Sequence, residues 1–135
     1  MAAVRDHRAA GVPTEKLVLG VAFYGRHWTD VSAGDSHGLG QPGSPGESTF
    51  GGTRYSNIAP NLVNKAGFVR HWDTVAQAPW LWHAEDGIFI SYDDPESLRA
   101  KAAFIKEENL AGVMFWQYST DHKNQLLDTL YKTLR

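Results

Sequence analysis

The 135 residues contain no cysteine. That excludes disulfides, thiolate metal sites and cysteine nucleophiles, and leaves the compartment open. No apolar stretch approaches the roughly 20 residues of a membrane-spanning helix. The segment from Met1 to Arg8 lacks an apolar signal core, so no export signal is expected in it. No basic block stands out. With 13 Lys and Arg against 15 Asp and Glu, the formal net charge is -2, and neither nucleic acid nor an anionic membrane is an expected partner. The six histidines show no HExxH or other metal-ligand spacing, and there is no GxSxG and no phosphate-binding loop. His71 and His83 are spaced so that they could face each other across a hairpin, where a surface or hydrogen-bonded role is expected.

What is present suits a soluble globular domain. The 42% hydrophobic and 21% charged residues fit a chain that buries a core. The 5 Trp, 5 Tyr and 6 Phe serve either core packing or stacking on a flat ligand such as a pyranose ring, and their number alone does not choose.

Two apolar runs dominate the pattern, Leu17 to Arg26 and Leu110 to Tyr118. Both predict strands buried on both faces as in a parallel sheet, Leu17–Tyr24 by its length and β-branched valines and Gly112–Trp116 as a continuous apolar run. A helix is expected over Ala2–Ala10, stopped by Gly11 with Pro13 beyond. Residues 31–54 form a loop holding Gly34, Gly38, Gly40, Gly43, Gly46, Gly51 and Gly52, long enough to be functional or a surface excursion. A short helix is expected near Ile58–Lys65, with Leu62 and Val63 as core candidates. Three strand-like segments follow at 68–73, 78–83 and 87–92, so that a small antiparallel α+β unit is inserted between the two apolar strands. Asp94 and Pro95 open a helix in which Leu98, Ala102 and Ile105 share one stripe. The last helix, about Asn124–Leu134, places Leu126, Leu127, Leu130, Tyr131 and Leu134 on one face. The alternation of strand and helix argues for an α/β fold. No internal repeat is visible.

Period-two geometry puts Ala22, Tyr24 and Arg26 on one face of the first strand end, and Met114, Trp116 and Tyr118 on one face of the second. If the strands are neighbours, Tyr24, Arg26, Met114 and Trp116 converge on a flat surface, a phenol and a guanidinium. That set suits an uncharged, polyhydroxylated or N-acetylated ligand; the alternative is that Tyr24 and Trp116 only fill a core. The acidic pairs Glu85-Asp86, Asp93-Asp94 and Glu107-Glu108 read as helix caps and solvated surface, and Lys101 as part of a solvated face.

The run Lys16-Leu17-Val18-Leu19-Gly20-Val21-Ala22-Phe23-Tyr24-Gly25-Arg26 resembles the seventh-strand motif of glycoside hydrolase family 18, the chitinases. Gly112-Val113-Met114-Phe115-Trp116 resembles that family's eighth strand. Tyr55-Ser56 with Ile58, Trp72-Asp73 and Phe89-Ile90-Ser91-Tyr92-Asp93-Asp94-Pro95 resemble its insertion subdomain and the exit from it. The resemblance implies the C-terminal part of a TIM (β/α)8 barrel. Residues 1–30 would be a barrel segment (end of the sixth helix and seventh strand). Residues 31–91 would be the glycine-rich loop and the inserted α+β subdomain. Residues 92–135 would be the seventh helix, eighth strand and eighth helix.

For the site, the resemblance implies that Trp116 floors the cleavage subsite, that Tyr24 and Arg26 contact substrate and that Met114 lines the same subsite. Trp72, Trp80 and Trp82 are candidates for the cleft wall, with core packing the expected role of each. The implied substrate is chitin or its oligosaccharides, cut at β-1,4 links with retention. The implied parent is secreted or extracellular, and no cofactor is implied. Gln117 stands where many members carry Glu. The family's DxxDxDxE signature does not occur, nor does its sixth-strand Tyr-Asp segment, so the chain is expected to start at about the sixth helix and to be inactive by itself. Family 18 uses the substrate's own acetamido group rather than a second carboxylate. A non-catalytic carbohydrate-binding module and a purely structural fragment are the alternatives. Self-association through exposed barrel strands is expected.

Overall fold

The computed structural model describes residues 2–46 and 53–135; Gly51 and Gly52 of the expected loop lie outside the described residues. The elements run α1 (Ala2–Ala9), β1 (Val18–Ala22), β2 (Arg26–Thr29), β3 (Ser44–Pro45), α2 (Tyr55–Asn57), β4 (Phe68–Asp73), β5 (Ala78–His83), β6 (Ile88–Ser91), α3 (Pro95–Glu107), β7 (Gly112–Trp116) and α4 (Gln125–Leu134). They form two sheets.

The first sheet pairs β1 and β7 in parallel, with Gly20 beside Met114 and Ala22 beside Trp116. Alternation sends Val21 and Phe115 to one face. There Phe23, just past β1, stacks on Phe115 with ring centroids 4.7 Å apart. Leu98 of α3 and Leu126 and Leu130 of α4 join the same core. The opposite face is open: Val18 is 55% exposed, Met114 52% and Trp116 57%. Burial on both faces, expected from the continuous apolar runs, does not hold in this chain. No described element covers that side.

The second sheet has the order β3-β2-β6-β5-β4, with the β2–β6, β6–β5 and β5–β4 pairs all antiparallel. One face carries Leu81 and Ile90 against Ile58 and Tyr55 in the main core. The other carries Trp28, Phe89, Trp80 and Trp82, a second cluster completed by Val31 and Leu39 from the glycine-rich loop. Trp80 and Trp82 are therefore core residues, as expected, and Trp72 is half-buried beneath the Arg70 guanidinium at 5.3 Å.

That loop is less structureless than its composition suggests. Trp80 Nε1–H donates to the His37 carbonyl at 3.1 Å, and Gly38 packs so close that a Cβ there would sit 2.6 Å from the Trp82 ring. With φ at +82°, Gly38 also occupies backbone space that side chains avoid.

Several local expectations shift. The first strand ends at Ala22, because residues 23–25 turn to pair with 53–55: Tyr55 N–H donates to the Phe23 carbonyl at 3.1 Å, and Gly25 N–H donates to the Thr53 carbonyl at 2.7 Å. Tyr24 and Arg26 thus do not share a strand. The helix expected over 58–65 is α2 continued by a π turn at Ile58–Leu62; Leu62 and Val63 pack on the core as expected. In α4, Tyr131 is exposed and lies under Arg135, 4.8 Å from ring centroid to guanidinium, rather than on the buried face. His71 lies opposite Trp80, and His83 opposite Phe68, so the two histidines do not face each other. Helix α3 begins as expected: Asp94 accepts from the Glu96 and Ser97 backbone N–H groups, and Pro95 follows it.

Candidate functional site

The end of β1 opens into a groove of about 250 Å3 lined by Ala22, Tyr24, Arg26, Trp28, Tyr92 and Asp93 among others. The Arg26 guanidinium lies 5.9 Å from the Tyr24 ring centroid, so the phenol and the cation expected to act together do meet, across a turn instead of along a strand. Gly25 at the turn has no room for a side chain, since a Cβ would come within 2.8 Å of the Ser91 carbonyl oxygen. Met114 and Trp116 stand outside this groove, on the open face of β7. Ala22 links the two parts, being the register partner of Trp116 and a lining residue of the groove. The small neighbours Gly20 and Ala22 leave the Met114 and Trp116 side chains uncovered. The Trp116–Gln117 peptide is cis.

In the wall of the groove sits an ion pair that spacing did not reveal. Asp93 is buried, and Lys101 Nζ lies 2.6 Å from each of its carboxylate oxygens. Ser97 Oγ donates to Asp93 Oδ1 at 2.8 Å and Ala22 N–H to Oδ2 at 3.3 Å. One carboxylate thus ties the first turn of α3 to the end of β1. Reading Asp93 and Lys101 as solvated surface is incorrect. Asp94 is likewise buried, and besides capping α3 it lies 2.8 Å from the Arg70 guanidinium. Glu108 pairs with Arg8, and Asp86 with His83. Burial, followed by the charge of Asp94, raises the pKa of the Tyr55 and Tyr92 phenols, so both stay protonated near neutral pH.

Trp28 was not singled out in the sequence, although it follows Arg26 by two and so shares its strand face. It is half-buried, meets Phe89 edge-on at 5.9 Å and lines the groove. Among the described residues, no three His, Cys, Asp or Glu side chains group as a metal site.

On the same sheet face, His37 stacks on His71 at 4.4 Å, and His71 on Trp80 at 5.1 Å. Burial and, secondarily, the charge of His37 hold the His71 pKa below its ordinary value. The unfolded chain then binds the proton more readily. Stability is present above about pH 6.5, the ordinary histidine value, and is lost as pH falls below it. Thermal melts should therefore show a drop from pH 7.5 to pH 5 that is smaller in His71→Phe. An equal drop in both proteins would contradict the assignment.

Comparison with known proteins decides the family. Residues 1–121 match the sequence profile of the glycosyl hydrolases family 18. The chain belongs to family 18. It is 41% identical over 133 residues to Chitinase A1 of Niallia circulans, which covers 96% of this chain and 19% of that protein. A family 18 N-acetylglucosaminidase from Paenibacillus barengoltzii superposes with a TM-score of 0.86 at 44% identity, over 98% of this chain and 38% of the other. A class V chitinase from Nicotiana tobaccum, solved in complex with NAG4, superposes with a TM-score of 0.84 at 29% identity, over 97% and 38%. The α/β fold is thus that of a family 18 region, and the chain spans well under half the length of these relatives. Among the described residues, no helix is long and apolar enough to cross a membrane.

Proposed function

We propose that this family 18 region forms part of the substrate cleft of a secreted chitinase-like hydrolase acting on β-1,4-linked N-acetylglucosamine polymers. In this reading α1, β1 and residues 92–135 are segments of an eight-stranded barrel, and the inserted subdomain, forming one wall of the cleft, begins earlier than residue 31, because β2 (Arg26–Thr29) already belongs to its five-stranded sheet. The observation that carries it is the open β1–β7 face. Met114 and Trp116 project from β7 beside Gly20 and Ala22, next to the groove of Tyr24 and Arg26.

The division of labour follows from side-chain chemistry. The Trp116 indole offers an apolar plane to the face of a sugar ring. Met114 adds a polarisable wall. Tyr24 and Arg26 supply hydrogen-bonding groups for hydroxyls or an acetamido carbonyl. In the hydrolase this region orients the ring whose acetamido group attacks, while the general acid comes from a DxxDxDxE segment that these 135 residues do not contain.

Titration of the chain with chitotetraose, followed by calorimetry, tests this role. Trp116→Ala should lose most of the affinity and melt within a few degrees of the parent, because more than half of the side chain is already in water. Trp116→Phe should be intermediate. A large fall in melting temperature with unchanged affinity in the folded fraction would show that Trp116 is a packing residue only. The same open face is the surface through which copies of the chain should associate, since it joins Val18, Met114 and Trp116. Light scattering that shows a monomer at every concentration would contradict this.

A further inference from the structure

His37 fastens the glycine-rich loop to the five-stranded sheet in two ways. Its ring stacks on His71 of β4, with centroids 4.4 Å and planes 19° apart. Its carbonyl accepts from Trp80 Nε1–H of β5 at 3.1 Å. His71 in turn stacks on the Trp80 ring at 5.1 Å. With the loop held there, Val31 and Leu39 pack over Trp80 and Trp82, which are only 7% and 4% exposed.

The two imidazoles are badly placed to carry charge. His71 Nε2 is buried and has no hydrogen-bond partner among the described residues. In a neutral ring this nitrogen can be a lone pair. Protonation makes it a donor shut away from water and without an acceptor. A further proton on His37 would set two cations face to face at the stacking distance. Burial and the charge of His37 hold the His71 pKa below its ordinary value, in keeping with this geometry.

The neighbouring elements bring no charge that would offset this. On this face β5 presents Trp80 and Trp82, and β6 presents Phe89 and Ser91. Arg70 of β4 and His83 of β5 belong to the opposite face. Asp73, two residues past His71, accepts instead from the Val75 and Ala76 N–H groups of the hairpin. Asp35, two residues before His37, is exposed. Arg26 shares the row of Ser91, Trp80 and His71, but lies three strands away beside the Tyr24 ring.

We propose that His37 and His71 form a pH-sensitive clasp on the glycine-rich loop. With both rings neutral, the loop is closed over Trp80 and Trp82. Protonation in mild acid opens it, breaking the Trp80–His37 hydrogen bond and uncovering the two indoles. Near-parallel rings do not aim their lone pairs at one ion, so the pair is not a metal site. The clasp needs no ligand and stands apart from the cleft reading.

Linkage sets the size of the response. A histidine with the ordinary value near 6.5 in the open loop, and kept from protonation in the closed one, raises the opening equilibrium at most about thirtyfold at pH 5. The test follows hydrogen exchange of the Trp80 indole N–H by NMR from pH 7.5 to pH 5, corrected for the intrinsic effect of pH. The reference is the Phe23 N–H, which donates to the Trp116 carbonyl at 2.7 Å beside the other sheet. Protection at Trp80 should fall roughly tenfold relative to Phe23. The fall should be smaller in His37→Phe, which keeps a stacking ring without a charge, and absent in His71→Phe. Trp80 protection that is flat in pH, or that falls only as much as that of Phe23, would overturn the clasp. Both of those outcomes are read on the unaltered chain, so they stand even where a variant folds poorly. An undiminished fall in His71→Phe would overturn it as well.

Discussion

Lys101→Ala is expected to destabilise the chain by about 3 kcal/mol, the lower end of the range for breaking a buried ion pair by removing one partner. Asp93 has only 6% of its side chain exposed, and Lys101 Nζ meets both of its oxygens. Without the ammonium, the carboxylate keeps Ser97 Oγ and the Ala22 N–H but no compensating charge. Water reaches the partly exposed Lys101 side chain (24%), which is why the upper end of the range is not expected. Domains of this size commonly have about 5–15 kcal/mol in total, so the loss should be plain in urea unfolding. The double variant Asp93→Asn with Lys101→Met removes both charges and should recover much of it. A loss below about 1 kcal/mol in Lys101→Ala would place the pair with ordinary surface salt bridges. Because Asp93 also holds the end of β1, the variant should disturb the Tyr24 resonances more than those of β4, which the pair does not touch.

No hydrolysis of a fluorogenic chitobioside is expected from the 135 residues alone. Three of the acidic side chains are engaged in structural pairs: Asp93 with Lys101, Asp94 as the cap of α3 and partner of Arg70, and Glu108 with Arg8. A missing general acid typically costs ~10² to 10⁴ in rate. Tyr92 also lines the groove, and burial makes its phenol a weaker acid than an ordinary tyrosine. Turnover proportional to added protein after stringent purification, and reduced by Trp116→Ala, would contradict this and would require a donor within the chain.

How far the sequence carried this picture differs from element to element. The runs ending at Ala22 and Trp116 announced β1 and β7 because both are continuously apolar, and Asp94-Pro95 announced α3 because capping chemistry is local. The break after Ala22 was hidden, since Phe23 and Tyr24 prolong the apolar run, and the turn is set by residues 53–55, remote in sequence. The strands Arg26–Thr29 and Ser44–Pro45 were too short to show a period. Period-two spacing and the family resemblance singled out Tyr24, Arg26, Met114 and Trp116, and the structure brings the first two into one groove and the last two onto one neighbouring face. It does not place all four in a single pocket. Asp93 and Lys101 looked like surface because their pairing depends on where α3 docks against β1, which no spacing rule encodes. Trp28 was legible from its two-residue offset to Arg26, but only once a strand was known to begin there.

Chemical-shift mapping of the isotope-labelled chain with chitotetraose tests the cleft assignment most directly. Saturable shifts at Ala22, Tyr24, Arg26, Met114 and Trp116, with the hollow beside Phe104 and Arg8 unaffected, are the expected result. Shifts confined to residues away from the β1–β7 ends, or no shifts at millimolar sugar, would contradict it.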